Sequence, residues 1–303
     1  MNTKLFDIYR QELIERIQTK CRNEGLFETE VPALSFYHST KETEFLTTVY
    51  EPSLCVIVQG AKALGLGDEM LMYNPDSYLL ASIHMPARVR IAEASTDAPY
   101  LSLKITFSME QIFDVMKEID EQPFKSSSKA NHGLHIGDMS QQLLEPILRL
   151  ARLMDTPKNI PHISPLIIKE ILYLIINEEG GDFLRQYLKD GSATQRIVQV
   201  ITKLKDDFAE KLDIESLAKS VSMSESSLYH NFKKITTMSP LQFQKTLRLK
   251  EARHILMTQN VDASQVAFDV GYESPSQFSR EYSRMFGFPP KADIKRLMGD
   301  CSN

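Results

Sequence analysis

Cysteine is scarce in this chain, and the few cysteines lie far apart. Cys21, Cys55 and Cys301 share no C-x-x-C spacing, which argues against a disulfide framework or a cysteine-based zinc site and fits a reducing compartment. No uninterrupted apolar run reaches the roughly 18 residues that a membrane-crossing helix requires. The most apolar stretch, residues 166–176, is broken by Lys169 and Glu170. The start of the chain carries Asp7 and Arg10 where a secretory signal would have its apolar core, so a cytoplasmic location without membrane insertion is expected. Neither sign of charge dominates, with 35 Lys and Arg against 40 Asp and Glu. This composition argues against a mostly disordered chain, and 303 residues suffice for about two domains.

The charge is nevertheless unevenly placed. Sixteen basic and thirteen acidic residues follow Ala193, leaving 19 and 27 before it. The C-terminal third is therefore the part suited to a polyanion.

Hydrophobic periodicity divides the chain. Residues 4–24 repeat apolar positions at steps of three and four, which predicts a helix ended by Gly25. Between Leu34 and Phe107 the pattern becomes short β-prone runs (54–58, 62–66, 70–73, 78–82, 88–93 and 100–107) punctuated by Gly and Pro turns. Strands at that spacing predict a small barrel or sandwich. A polar loop is expected at 125–135, followed by helices at 141–154, 165–178 and 194–207. The 165–178 helix is apolar nearly all round and needs cover on most sides. Leu143, Leu144, Ile147, Leu148, Ala151 and Met154 form one apolar face of the 141–154 helix, which either a symmetric dimer through these helices or packing within one chain would cover, the dimer being the expectation.

From Ile214 the pattern is helix, tight turn, helix. Leu217, Ala218 and Val221 share one face; Ser224 caps a second helix whose buried stripe is Leu228 and Phe232. The arrangement recurs. Val266, Ala267 and Val270 follow their counterparts by 49 residues, whereas Phe278 and Tyr282 follow theirs by 50, so the second turn holds one extra residue. Ser239-Pro240 opens a long helix between the copies. Two such units on a rigid helix can place their second helices in successive major grooves, roughly 34 Å apart. The faces left over carry Ser226, Tyr229, His230 and Lys233 in the first copy and Ser276, Gln277, Ser279 and Arg280 in the second. Arg and Gln suit bidentate readout of guanine and adenine, whereas Lys234, Arg284 and Lys291 are placed for phosphates.

The segments "SPLQFQKTLRLKEARHIL" (239–256) and "VAFDVGYESPSQFSREYSRMFGFPP" (266–290) closely resemble the DNA-binding domain of the AraC/XylS family of bacterial transcriptional regulators. Residues 50–105 resemble the regulatory domain of one subgroup, in which a cupin-like β-barrel precedes a helical dimerisation element. The resemblance implies an α+β architecture: a cupin-like effector-sensing domain over 1–138, a dimerisation segment over 139–192, and an all-α double helix-turn-helix domain over 193–303. It also implies double-stranded promoter DNA and RNA polymerase as partners, a homodimer, and a bias toward activation. Two departures stand out. Ser222 occupies a turn position where the family usually has Gly, and "PPKADIKR" ends the domain where an aromatic and Arg are more usual.

For the N-terminal half, a cupin-like barrel raises the alternative of a metal enzyme or small-molecule binding protein with a helical interaction tail. The barrel region offers only His38 and His84, without an H-x-H pair, and His132 and His135 fall in the polar loop. No metal, cofactor or catalytic set is expected. Cys55 sits inside a strand on the face opposite Val56 and Val58, where it is either a small core residue or a thiol facing a reactive effector. Tyr37, Tyr50, Tyr78, Arg88 and Lys104 are the other candidate lining residues of an effector cavity.

Overall fold

The computed structural model describes residues 2–66, 69–82, 84–119, 133–178, 181, 193–259 and 261–299. The chain divides into two compact units, one of residues 1–44, 50–84 and 89–189, the other of residues 45–49, 85–88 and 190–303. Most of the expected 125–135 loop, with His132, lies outside the described residues, as do Cys301 and residues 182–192.

Helix α1 (Asn2–Lys20) opens the chain and is followed by strands β1 (Gly25–Glu28), β2 (Leu34–Ser39), β3 (Leu46–Tyr50), β4 (Ser53–Gln59), β5 (Ala61–Leu66), β6 (Glu69–Tyr73), β7 (Ser77–Ala81), β8 (Met85–Glu93) and β9 (Tyr100–Thr106). Helix α2 (Met109–Glu118) precedes a last strand, β10 (Leu134–Asp138). The strands form two sheets, one of six strands in the order β1-β2-β9-β4-β7-β10 and one of four in the order β3-β8-β5-β6. The expected barrel is thus an open two-sheet sandwich of cupin-like type. The six strands matched to sequence runs lie where the alternation put them; β1, β2, β3 and β10 fall outside the expected runs, and of these β1 (GLFE) and β10 (LHIGD) carry at most one β-branched residue each. His135, expected in a loop, sits on β10 opposite Leu80, with its ring edge toward Tyr78.

Register divides the larger sheet into two unlike faces. One carries Phe36, Leu101, Leu103, Ile105, Leu54, Val56, Tyr78 and Leu80, all buried, and α1, which packs on β2, β9 and β4, covers it with Leu13 and Ile17. The other carries Ser35, Tyr37 and Ser39 on β2, Tyr100, Ser102 and Lys104 on β9, and Ser53 and Cys55 on β4. Strand side chains alternate in direction, so these eight share the face turned away from α1.

Helices α3 (Gln141–Arg152) and α4 (Ile160–Asn177) pack on each other, and α3 also packs on α1. The α3 face offered by sequence for dimerisation is consumed here: Leu143, Leu144, Ile147, Leu148 and Ala151 are at most 2% exposed within one chain. Helix α4 begins five residues before the expected start, because Pro161 opens it and Pro165 is carried inside it. With the turn before it, α4 is long and apolar enough to cross a membrane by length and composition alone, yet Ile167, Ile168, Ile171, Leu172, Ile175 and Ile176 are spent on packing within the chain. Ile163, Leu166 and Tyr173 remain exposed.

The second unit contains α5 (Ala193–Asp206), α6 (Ile214–Ser220), α7 (Glu225–Thr236), α8 (Pro240–Thr258), α9 (Ala263–Asp269), α10 (Pro275–Phe286) and α11 (Pro290–Gly299). The repeat read from sequence is a structural one. Asp213 and Asp262 cap α6 and α9, and Ser224 and Ser274 cap α7 and α10 by accepting from the backbone of the first turn. Thr237 and Gly287 end α7 and α10 in the left-handed conformation, and Pro240 and Pro290 start the next helices.

Candidate functional site

In each helix-turn-helix the turn demands an unusual backbone. Gly271 has φ +88°, and a Cβ there would sit 2.1 Å from the Ala209 carbonyl oxygen, so only glycine fits. Ser222, at the same point of the first copy, has φ +53°; the departure from the family's glycine is accommodated by a left-handed serine and leaves the motif intact. Two residues separate the caps in the first turn and three in the second, as the 49-then-50 spacing requires.

The stripes Leu228-Phe232 and Phe278-Tyr282 are at most 1% exposed, and each such side chain stabilises the motif by about 1.5–3 kcal/mol. Phe232 meets Phe243 of α8 edge-on at 5.4 Å, and Phe278 and Tyr282 stack in a chain with Tyr272 and Phe286. This packing fixes which faces of α7 and α10 look outward. Ser226, Tyr229, His230, Lys233 and Lys234 are all exposed on α7, as are Ser276, Arg280 and Arg284 on α10. Among the described residues, Lys233, Lys234, Arg280 and Arg284 form no ion pair within the chain, so their charge is not offset locally.

Gln277 differs from the expectation of a free reader. It is only half-exposed, and its Nε2 donates to Glu281 Oε1 at 3.1 Å. Glu281 also accepts from Lys245 Nζ at 2.8 Å and the Tyr272 hydroxyl at 2.9 Å. Burial works against its charge, but these donors together hold the carboxyl below its usual range. Glu281 thus orients Gln277 while its own charge is matched by Lys245. Sequence reading missed it because an acid on a helix expected to face DNA has no obvious use until its partners are seen.

Arg248 of α8 joins the two motifs. Its guanidinium donates to the carbonyls of Phe208, Ala209 and Glu210, before the first motif, and to that of Gly271, in the turn of the second, at 2.6–3.0 Å. Gln244, one turn away, adds a bond to the Glu210 carbonyl at 2.8 Å.

The candidate effector residues of the first unit separate into groups. Cys55 is buried, its pKa raised by desolvation and lowered only partly by Lys62 and Lys104, so it has the character of a thiol rather than a thiolate. Tyr50 is 8% exposed, and Tyr37 meets Tyr100 edge-on at 6.0 Å. Lys104 is paired with Glu51 at 2.6 Å. Tyr78 belongs elsewhere: it lies on the apolar face, and a Cβ on Gly137 would be 2.5 Å from its ring. Arg88 is exposed, with its guanidinium 5.1 Å from the Phe45 ring centroid, and both belong to the second unit. Missed from sequence were Tyr100, which the strand register places on the polar face, and Lys62 and Tyr73, cross-strand partners on the smaller sheet, of which Lys62 reaches the Tyr100 ring. Among the described residues no cluster of three His, Cys, Asp or Glu has metal-binding geometry.

Residues 30–183 match the family model of the AraC-type transcriptional regulator N-terminus, and residues 217–296 match a helix-turn-helix domain. The HTH-type transcriptional activator RhaS of Escherichia fergusonii is 26% identical over 155 residues, 50% of this chain and 55% of that protein. RhaS of Citrobacter koseri is 27% identical over 163 residues, 52% and 56% of the two chains. The chain thus spans about half the length of the curated relatives it matches. Among solved structures, ToxT from Vibrio cholerae bound to an unsaturated fatty acid superposes with a TM-score of 0.63 at 13% identity, covering 88% of this chain and 95% of that one. ToxT from Vibrio cholerae O395 gives 0.56 at 15%, covering 87% and 98%. These likenesses speak for the fold. The N-terminal match alone takes in half of the sequence and is followed by the paired helix-turn-helix, so the chain belongs to the AraC-type transcriptional regulators.

Proposed function

We propose that this regulator binds promoter DNA sequence-specifically through α7 and α10, acts as an activator that engages RNA polymerase, and is controlled by a small molecule held in the N-terminal sandwich. The observation that carries the DNA reading is the pair of capped, repeated helices whose outward faces bear Lys233, Lys234, Arg280 and Arg284 without partners among the described residues. On this reading Arg280, Gln277, Ser276, Ser226, Tyr229 and His230 meet base edges or the groove wall, and Lys233, Lys234 and Arg284 meet phosphates. Activation is supported by the RhaS relatives, and ligand control by the fatty acid held in ToxT. The earlier alternative, a cupin-type enzyme, gives way to membership of a regulator family.

The functional division we propose is sensing over 1–138, dimerisation over 139–192 and DNA binding over 193–303, with the protein acting at the nucleoid as a homodimer. Support for the dimer now comes from α4, whose Ile163, Leu166 and Tyr173 are exposed, since the α3 face is already buried. The test is to recover bound promoters by chromatin immunoprecipitation and titrate the full chain against one of them at several salt concentrations. The three phosphate contacts proposed imply a slope of log K against log salt of about -2.7. A slope near zero, or equal affinity for unrelated sequence, overturns the reading.

A further inference from the structure

The face of the larger sheet turned away from α1 is unusually polar for a sandwich interior, with Ser35, Tyr37, Ser39, Ser53, Cys55, Tyr100, Ser102 and Lys104 presented together. Two of its surroundings are unsatisfied. Ser35 Oγ, in a residue 3% exposed, and Tyr50 Oη are buried and have no hydrogen-bond partner. The Tyr73 hydroxyl lies beside Tyr50 without completing a bond of good geometry. Buried hydroxyls left without a partner destabilise the fold unless a bound group satisfies them.

The smaller sheet contributes a cation. Lys62 on β5 is the cross-strand partner of Tyr73 on β6, and its Nζ lies 5.8 Å from the centroid of the buried Tyr100 ring on the opposite sheet. Among the described residues no carboxylate pairs with it. Burial depresses its pKa, with only Cys55 favouring the charge and Lys104 opposing it. Lys62 itself is half-buried, and an ammonium held over an aromatic ring without a carboxylate partner is stabilised by an anion.

We propose, extending the effector-controlled reading above, that this interior is a binding site for a small hydroxylated organic acid, its carboxylate held at Lys62 and Tyr50 and its hydroxyls by the serine-lined face that includes Ser35. Ser39 and Ser53 already donate to the Lys41 and Glu51 carbonyls, so a hydrocarbon tail would leave the Ser35 hydroxyl dry, whereas a hydroxyl on the ligand pairs with it. On the sheet, Ser35, Lys104 and Cys55 stand in one cross-strand row, so Ser35 and Cys55 are about 10 Å apart across two strand spacings. A ligand of a few carbons spans that distance.

The absence of tryptophan gives a direct readout, because all intrinsic near-ultraviolet emission comes from the 11 tyrosines. The full chain is titrated with glycolate, lactate and gluconate, with the corresponding amides, and with hexanoate, following tyrosine emission and heat. We expect at least one hydroxy acid to saturate, and its amide and hexanoate to bind at least about tenfold more weakly. Lys62→Met should reduce acid binding about 30-fold, as loss of a buried charge partner does, while its melting temperature without ligand stays unchanged or rises. Tyr50→Phe and Ser35→Ala should each weaken binding several-fold.

No saturation by any hydroxy acid, equal binding of acid and amide, or unimpaired binding by Lys62→Met overturns the site. Preference for hexanoate overturns the hydroxylated class. Repeating the titration with promoter DNA separates the two readings: Lys62-dependent binding that leaves DNA affinity unchanged retains the acid site and removes effector control from the proposed function. If instead the acids fail to bind, the site falls and DNA binding is untouched.

Discussion

Arg253 and Asp293 form a two-pronged ion pair, Nε to Oδ2 at 2.8 Å and Nη2 to Oδ1 at 3.1 Å, around a carboxylate that is 0% exposed. The Tyr282 hydroxyl donates to the same Oδ2 at 3.0 Å, so one buried acid ties α8, α10 and α11 together. The Arg253 guanidinium also lies 4.4 Å from the Phe286 ring centroid. Asp293→Ala would strand a partly buried guanidinium and a buried phenol, at a cost of about 3–5 kcal/mol. The expected result is early loss of the C-terminal transition in urea and weakened DNA binding. Hydrogen exchange in α10 as slow as in the wild type would refute it.

Specificity should concentrate on α10. Arg280→Ala is expected to cost about 1–3 kcal/mol at a cognate promoter and to relax preference at one or two base pairs. Lys234→Ala should weaken all sequences alike and reduce the salt slope by about 1. Gel-shift titrations of randomised sites distinguish the two. Glu281→Gln should act through Gln277 and Lys245, changing sequence preference more than total affinity.

The paired turns predict opposite responses to glycine. Ser222→Gly relieves a left-handed serine and should stabilise the first motif by about 0.5–1 kcal/mol. Gly271→Ala forces a methyl group to within 2.1 Å of the Ala209 carbonyl oxygen and brings it 2.9 Å from Arg248 Nη2, so it should destabilise the second motif by about 2–4 kcal/mol. Thermal melts of the two variants moving in the same direction would contradict this.

Acid should loosen the α1–α3 contact. Arg152 first, and then Arg16, hold Glu12 at a pKa of about 2 against partial burial. Because the folded value lies below the unfolded one, the stabilisation is complete above about pH 4.5 and is lost as pH falls through about 2. Its size is about 1–2 kcal/mol, allowing for the Glu12 side chain being 28% exposed. Glu12→Gln should lose that stability at neutral pH and flatten the acid limb of the curve, as read by chemical denaturation at stepped pH.

Ile147 and Leu166 answer the question of assembly differently. Ile147 is 0% exposed, so Ile147→Lys should unfold or aggregate the first unit rather than release monomers. Leu166 is 63% exposed, and Leu166→Lys should leave the fold intact while shifting sedimentation toward a monomer. A monomeric wild type at micromolar concentration would withdraw the dimer.

Much of the C-terminal unit was legible in the sequence because helical punctuation is local. Ser224, Ser239 and Asp262 cap helices a few residues away, and the shift from a 49- to a 50-residue offset marks the longer second turn. The sandwich was legible only as strands. Which face Tyr78 takes, and that Lys62 reaches Tyr100, depend on register between strands distant in sequence. The amphipathic face of α3 invited a dimer because periodicity identifies a surface that must be covered without naming what covers it.

Arg248 grips carbonyls on both sides of α8 with one rigid, always-charged fork. Moving the turn of the second motif away from the segment that precedes the first would break several charge-assisted bonds at once. If α7 and α10 read DNA as proposed, promoters are expected to be selected by the interval between their two reading sites as well as by the bases within them. Inserting half a helical turn of DNA there should abolish recognition even when every contacted base is kept.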